Sequence, residues 1–210
     1  MQVQTVEVAV RVNGAEVAWA DYGALRRDFP AIRSLSDEQI KGWLLQNFAY
    51  VGSEQPRLAG VRNSAMNLDP HATKPAFRPP GWNRSAVLEA FDPNGLPIGL
   101  VDVKGFGHGV LTAAEVSRQV TAYGDAQGRQ GRIDALRITD HSDGLMALGE
   151  GIAECSRQIA AQRLFEMSGL SLETVESYAI IRLPFNLLKK GGVEIPAALY
   201  LRQAHGGRFT

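Results

Sequence analysis

The apolar pattern between residues 85 and 203 changes period twice, and that change constrains the fold more than any other feature of the 210-residue chain. Val87 to Phe91 and Ile98 to Lys104 read as strands around Asp92-Pro93-Asn94-Gly95, a turn with proline early and glycine at its end. Leu145 to Met167 then reads as a helix, with an apolar stripe of Leu148, Ile152, Cys155, Ile159 and Leu164 and with Gly169 as its stop. Val175 to Leu183 and Ala197 to Gln203 return to strand, with residues 184 to 196 as the loop between them. Two strands, a long helix and two more strands predict an antiparallel sheet with one helix packed across it, an α+β arrangement.

Upstream, residues 3 to 12 alternate and place Val6, Val8, Val10 and Val12 on one face. Asn13-Gly14 signals a hairpin in which Ala15 to Trp19 returns as the second strand. Ser36 and Gln39 form a capping box, and Ile40, Trp43, Leu44, Asn47, Phe48 and Val51 follow at helical spacing. Residues 1 to 51 are therefore expected to be a hairpin with a helix laid on it, an extension of the unit formed by residues 85 to 210. Residues 52 to 84 hold Pro56, Pro70, Pro75, Pro79 and Pro80 with little periodicity, and are expected to form an irregular linker or strap anchored by Phe77 and Trp82. Thr112 caps a further expected helix over 113 to 123, and residues 125 to 131 read as a polar loop.

Composition removes several classes of function. Lys and Arg total 22 and Asp and Glu total 22, so no global basic field points to nucleic acid. The single cysteine, Cys155, leaves no internal disulfide and no multi-cysteine zinc site, and its place on an apolar stripe suits an inert core thiol. No 18-residue apolar run is present and the amino end is polar, which leads to the expectation of a cytoplasmic protein without a membrane span. Asp140-His141-Ser142-Asp143 gathers metal-ligand types but reads better as a capping loop for the long helix. Arg129, Arg132 and Arg137 read as a solvated basic loop.

Two residues stand out for chemistry. Lys104 ends a strand of apolar neighbours, and Glu154 lies beside the apolar stripe of the long helix. A strand lysine and a helix glutamate that meet over a sheet form the ion pair with which protein kinases position nucleotide phosphates. Lys104-Gly105-Phe106-Gly107, then Asp143-Gly144, then Glu154 eleven residues after Asp143, resembles the selenoprotein O family of kinase-like AMP transferases. Gly151-Ile152-Ala153-Glu154 is similar to that family's Ser-Ile-Arg-Glu, and Ser168-Gly169-Leu170-Ser171 to its Leu-Gly-Ile-Pro. Residues 202 to 209 resemble the segment after its fifth strand, which ends in Arg-Phe, as Arg208-Phe209 does here.

The resemblance spans residues 86 to 209 and implies a kinase-like small lobe. It also implies a nucleotide site of Lys104, Glu154, Gly105, Gly107 and Arg208, with ATP and magnesium as the ligand. Residues 108 to 142 stand where the family has a short Pro-Thr-Pro-Tyr-Ser-Arg link, and no residue matches the family's catalytic-loop Asn or metal-binding Asp. The expectation is therefore a non-catalytic accessory or binding protein derived from such a lobe, one that recognises a peptide, a partner protein or a nucleotide. It is expected to act as a homodimer or with a heteromeric partner. The alternative is one part of an ATP-dependent nucleotidyl- or phosphotransferase whose large lobe lies elsewhere.

Overall fold

The computed structural model describes residues 5–53, 66–78, 84–107, 144–188 and 194–204. The described elements, in chain order, are β1 (Thr5–Val12), β2 (Glu16–Ala20), α1 (Tyr22–Asp28), a 3-10 turn at Pro30–Ile32 and α2 (Asp37–Phe48). They continue with β3 (Tyr50–Gly52), β4 (Leu68–Arg78), β5 (Ser85–Phe91), β6 (Pro97–Lys104), β7 (Met146–Ala147), α3 (Leu148–Met167), β8 (Ser177–Leu188) and β9 (Glu194–Gln203). All nine strands belong to one antiparallel sheet, ordered β2-β8-β9-β6-β5-β4-β1-β3, with β7 on β9. The expected α+β class with one long helix is what forms.

That strand order makes the sheet curl. β1 and β2 are joined by three residues yet lie near opposite ends of the order. The connecting turn touches both ends. Asn13 N–H donates to the Asn67 carbonyl at 2.9 Å, and a Cβ on Gly14 would lie 3.7 Å from Cβ of Pro184 in β8. The turn expected at Asn13-Gly14 exists, with Gly14 at φ +78°, but the hairpin does not. β2 pairs with β8, setting Val17 opposite Ile181 and Trp19 opposite Ile180, while β4 and β3 occupy the two edges of β1. Long-range apolar pairing overrides the local turn signal.

The concave face holds the main core. Leu88 of β5, Val101 and Val103 of β6, Leu199 and Leu201 of β9 and Ile181 of β8 point inward against Leu25 of α1 and Trp43, Leu44 and Phe48 of α2. α2 carries the expected capping box, with the Gln39 N–H donating to Ser36 Oγ and the Ser36 N–H donating to Gln39 Oε1. It stops at Phe48, so Val51 lies in β3 and not on the helix. α1, which the sequence reading omitted, is capped by the Asp21 carboxylate accepting from Ala24 N–H at 2.8 Å.

Four further expectations are corrected. Residues 52–84 are not irregular throughout, because residues 68–78 form β4 inside the sheet. Its prolines are accommodated at irregular positions. Pro70 falls among residues 70–72, which the β1 register skips between Thr73 and Asp69, and Pro75 is solvent-exposed. The first and third segments share that sheet and one core, so residues 1–51 are not a separate appendage. On β1, Val10 and Val12 are buried, but Val6 and Val8 are 61% and 51% exposed. The loop expected over 184–196 is shorter, since β8 runs to Leu188 and β9 starts at Glu194.

β4 also brings in a buried amine. The Lys74 ammonium donates to the carbonyls of Asn47 (2.6 Å), in the last turn of α2, and of Glu89 (2.9 Å). The rings of Phe48, Tyr50 and Phe91 surround it at 5.6, 5.1 and 5.6 Å. Burial pushes the Lys74 pKa down to about 8, with Glu89 partly opposing. The folded state therefore holds the neutral amine more readily than the unfolded chain does, and this group's contribution to stability rises with pH from about 8 to the ordinary lysine value. Relative to Lys74→Met, wild-type protein is expected to gain on the order of 2 kcal/mol between about pH 7.5 and 9.5, measured by urea unfolding. A flat difference would refute a buried Lys74. The comparison with the variant matters because buried Tyr200, pushed up to about 12, and Cys155, also raised by burial, act in the opposite sense at higher pH.

Candidate functional site

Strand alternation places the pair that the sequence singled out. On β6, Val101 and Val103 point into the concave core, so Asp102 and Lys104 point to the opposite face, where α3 packs. α3 docks there through Gly151 and Cys155 against Met146, Ile180, Ala198 and Tyr200. The buried side of α3 is narrower than the predicted stripe, for Ile152 and Leu164 are exposed. Gly151 is small because a Cβ there would lie 3.0 Å from Met146 Cε. Glu154 follows on the flank, and its two oxygens accept from Lys104 Nζ at 2.6 and 2.7 Å. The two side chains retain 21% and 24% exposure.

Beside this pair is a second one that sequence reasoning missed. Asp102, fully buried, accepts from the Arg202 guanidinium on the neighbouring strand β9. Arg202 also stacks over the Tyr200 ring at 5.5 Å. The Tyr200 hydroxyl shares a 2.6 Å hydrogen bond with Ser177 and donates to Gln158 of α3 at 3.3 Å. The available signal was a carboxylate alternating with valines in Val101-Asp102-Val103, a costly residue for a buried strand unless a cation meets it. A third pair joins Arg84 to Glu150 at the start of α3 (2.9 and 3.2 Å), and Arg84 also donates to the Leu145 carbonyl.

The glycines after Lys104 are spoken for. Gly105 and Phe106 N–H groups donate to the Arg84 carbonyl at 2.8 and 3.2 Å, and Gly107 N–H donates to the Gly144 carbonyl at 3.2 Å. The Gly107 carbonyl accepts from Arg78 at 2.8 Å. Gly105 has φ +84°, and a Cβ there would lie 2.6 Å from the Ala198 carbonyl oxygen and 2.8 Å from Met146 Cβ. Close packing of the β6 end against β7 and β9 accounts for that glycine. Cys155 is buried and its thiol pKa is raised by burial, so it is held as the unreactive thiol.

The site is therefore a row of matched charges: Lys104 with Glu154, Arg202 with Asp102, Arg84 with Glu150. Lys104 spends two of its three protons on Glu154. Among the described residues the cations of this site are all paired, as the lysine of a kinase small lobe at work on a nucleotide also is. The cations are neutralised, the turn N–H groups bond backbone carbonyls, and no group of three metal-ligating side chains is found among the described residues. Arg208, the helix expected over 113–123, Trp82, the Asp140–Asp143 cluster and the arginines at 129, 132 and 137 lie outside the described residues. Among the described residues no helix is long and apolar enough to cross a membrane.

Compared with protein-family models, with curated proteins and with solved structures, the chain shows no match.

Proposed function

We propose that this chain is a non-catalytic binding protein built on a kinase-like small lobe, and that its ligand is a partner protein or peptide and not a nucleotide. The observation that carries the reading is that the groups around the Lys104–Glu154 pair already have partners within the chain. A strand-end lysine meets the glutamate of a long helix, and two antiparallel strands follow, with β9 directly beside the lysine strand. This resembles the lysine–glutamate pair of a kinase small lobe, which supports the reading. Here the surrounding charges cancel, and the glycine turn gives its N–H groups to the backbone, which supports a joint and not a phosphate clamp. The pair holds α3 at a fixed pitch on the sheet, and the helix presents its far side for recognition. A cytoplasmic location fits this role.

The test is a transfer assay. Protein incubated with magnesium and ATP labelled at either the α or the γ phosphate, with itself and a generic protein as acceptors, is expected to incorporate no label. Incorporation that disappears in Lys104→Ala would overturn the non-catalytic reading.

A further inference from the structure

Lys74 differs from the other described lysines in what its amine touches. Lys41 and Lys104 each hold a glutamate carboxylate, at 2.8 and 2.6 Å, whereas the polar partners of the Lys74 amine are the backbone carbonyls of Asn47 and Glu89. The strand register places it there. β4 pairs with β5 at Phe77 opposite Val87, and three residues earlier the Lys74 side chain reaches over to β5 and to the last turn of α2. The rings of Phe48, Tyr50 and Phe91 wall the amine. Lys74 and Phe91 are half-buried, and Thr73 and Pro75 on either side of the lysine are exposed, so this cage lies at the protein surface.

Two carbonyls satisfy two N–H groups, which is all that a neutral amine has, and the third position on the nitrogen faces aromatic carbon. A carbon substituent suits that position. Burial without a carboxylate to hold the proton keeps the pKa near 8, so about a tenth of the molecules carry a free lone pair at neutral pH. The surroundings also choose the substituent. Glu89 of β5 supplies the charge that opposes the loss of the proton, and Arg11 and Asp69, cross-strand partners of opposite sign, stand beside Tyr50. An anionic compound finds no net attraction there, and rings 5.1 to 5.6 Å from the nitrogen favour a small apolar one.

We propose that Lys74 is a capture site for small uncharged aldehydes, held covalently as a Schiff base among the rings of Phe48, Tyr50 and Phe91. The Nζ lone pair attacks the aldehyde carbon, a C–N bond forms, and a proton passes from nitrogen to the carbonyl oxygen to give a carbinolamine. A proton from solvent lets that oxygen leave as water, and the nitrogen lone pair completes the C=N bond of a protonated imine. No oxidant or reductant is consumed. The remaining N–H donates to one of the two carbonyls, and the positive charge lies among the rings. This site goes beyond the partner-binding reading and does not depend on it.

The experiment uses the full folded chain at neutral pH with acetaldehyde and sodium cyanoborohydride, which reduces the imine to a stable secondary amine. Peptide mass spectrometry then reads Lys41, Lys74, Lys104, Lys189 and Lys190 separately. Lys74 is expected to be ethylated at least about tenfold faster than Lys41, whose solvent-exposed pair with Glu38 keeps it protonated. For a lysine with only a structural role, labelling would follow access to solvent and Lys41 would lead. The preference for Lys74 should vanish in denaturing urea, because the fold creates it. Glyoxylate, which has two carbons like acetaldehyde but carries a carboxylate, should show a smaller preference for Lys74. Lys41 labelled as fast as Lys74, a preference that survives in urea, or an equal preference with glyoxylate would overturn the proposal.

Discussion

Replacing Arg202 with methionine is expected to destabilise the protein by about 3–5 kcal/mol, because it leaves the buried Asp102 carboxylate without its guanidinium partner. The size of the effect follows from where the carboxylate sits. Asp102 is on a central strand and fully buried, and the low polarity around it makes the loss of a counter-charge more expensive than the loss of one hydrogen bond. The aliphatic part of methionine keeps most of the packing over Tyr200, so the loss reports charge and not volume. Urea unfolding should show a lower midpoint with an unchanged slope. Adding Asp102→Asn to that variant should recover at least about 1 kcal/mol, since a neutral amide does not require a counter-charge. A loss below about 1 kcal/mol in the single variant would show that the pair is solvated and that the charge row is not part of the core.

Gly105→Ala is expected to cost about 3 kcal/mol or more. Two effects add: an L-residue at φ +84°, and a Cβ pressed to 2.6 Å from the Ala198 carbonyl oxygen and 2.8 Å from Met146 Cβ. Neither neighbour can swing away, since one is backbone of β9 and the other is a side-chain root on β7. The same shift would disturb the end of β6, where Lys104 meets Glu154, so the variant should also loosen α3 and speed amide exchange along the helix. A variant as stable as wild type would mean that the glycine serves some other purpose, with phosphate approach the first to consider.

How much was legible in the sequence depended on whether a feature was local. The turn at residues 92–95, the Ser36 capping box and the end of α3 at Gly169, with its N–H donating to the Glu166 carbonyl, each involve a few neighbouring residues whose chemistry decides the outcome. The meeting of Lys104 and Glu154 was also legible, because alternation on β6 and the helical period of α3 leave each side chain one choice of face. The Asn13-Gly14 hairpin failed for the opposite reason. Turn chemistry specifies a reversal but not which strand is met next, and β8 offered a better apolar face than β1. β4 was obscured by its own prolines, which local propensity weighs against a strand although irregular positions in the sheet admit them. Arg202 and Asp102 lie 100 residues apart, and only the β6–β9 register joins them. The stripe on α3 was read as buried because periodicity identifies an apolar side without saying what covers it. Leu164 and Ile152 proved to face outward.

The central claim is that Lys104 and Glu154 form a closed joint for a partner-binding helix and do not hold a nucleotide. Calorimetric titration of ATP with magnesium into wild-type protein and into Lys104→Ala tests it most directly. The account predicts only heats of dilution in both, together with a lower unfolding midpoint for Lys104→Ala, since that variant removes the counter-charge of Glu154. Saturable, magnesium-dependent heat in the wild type that disappears in Lys104→Ala would contradict it.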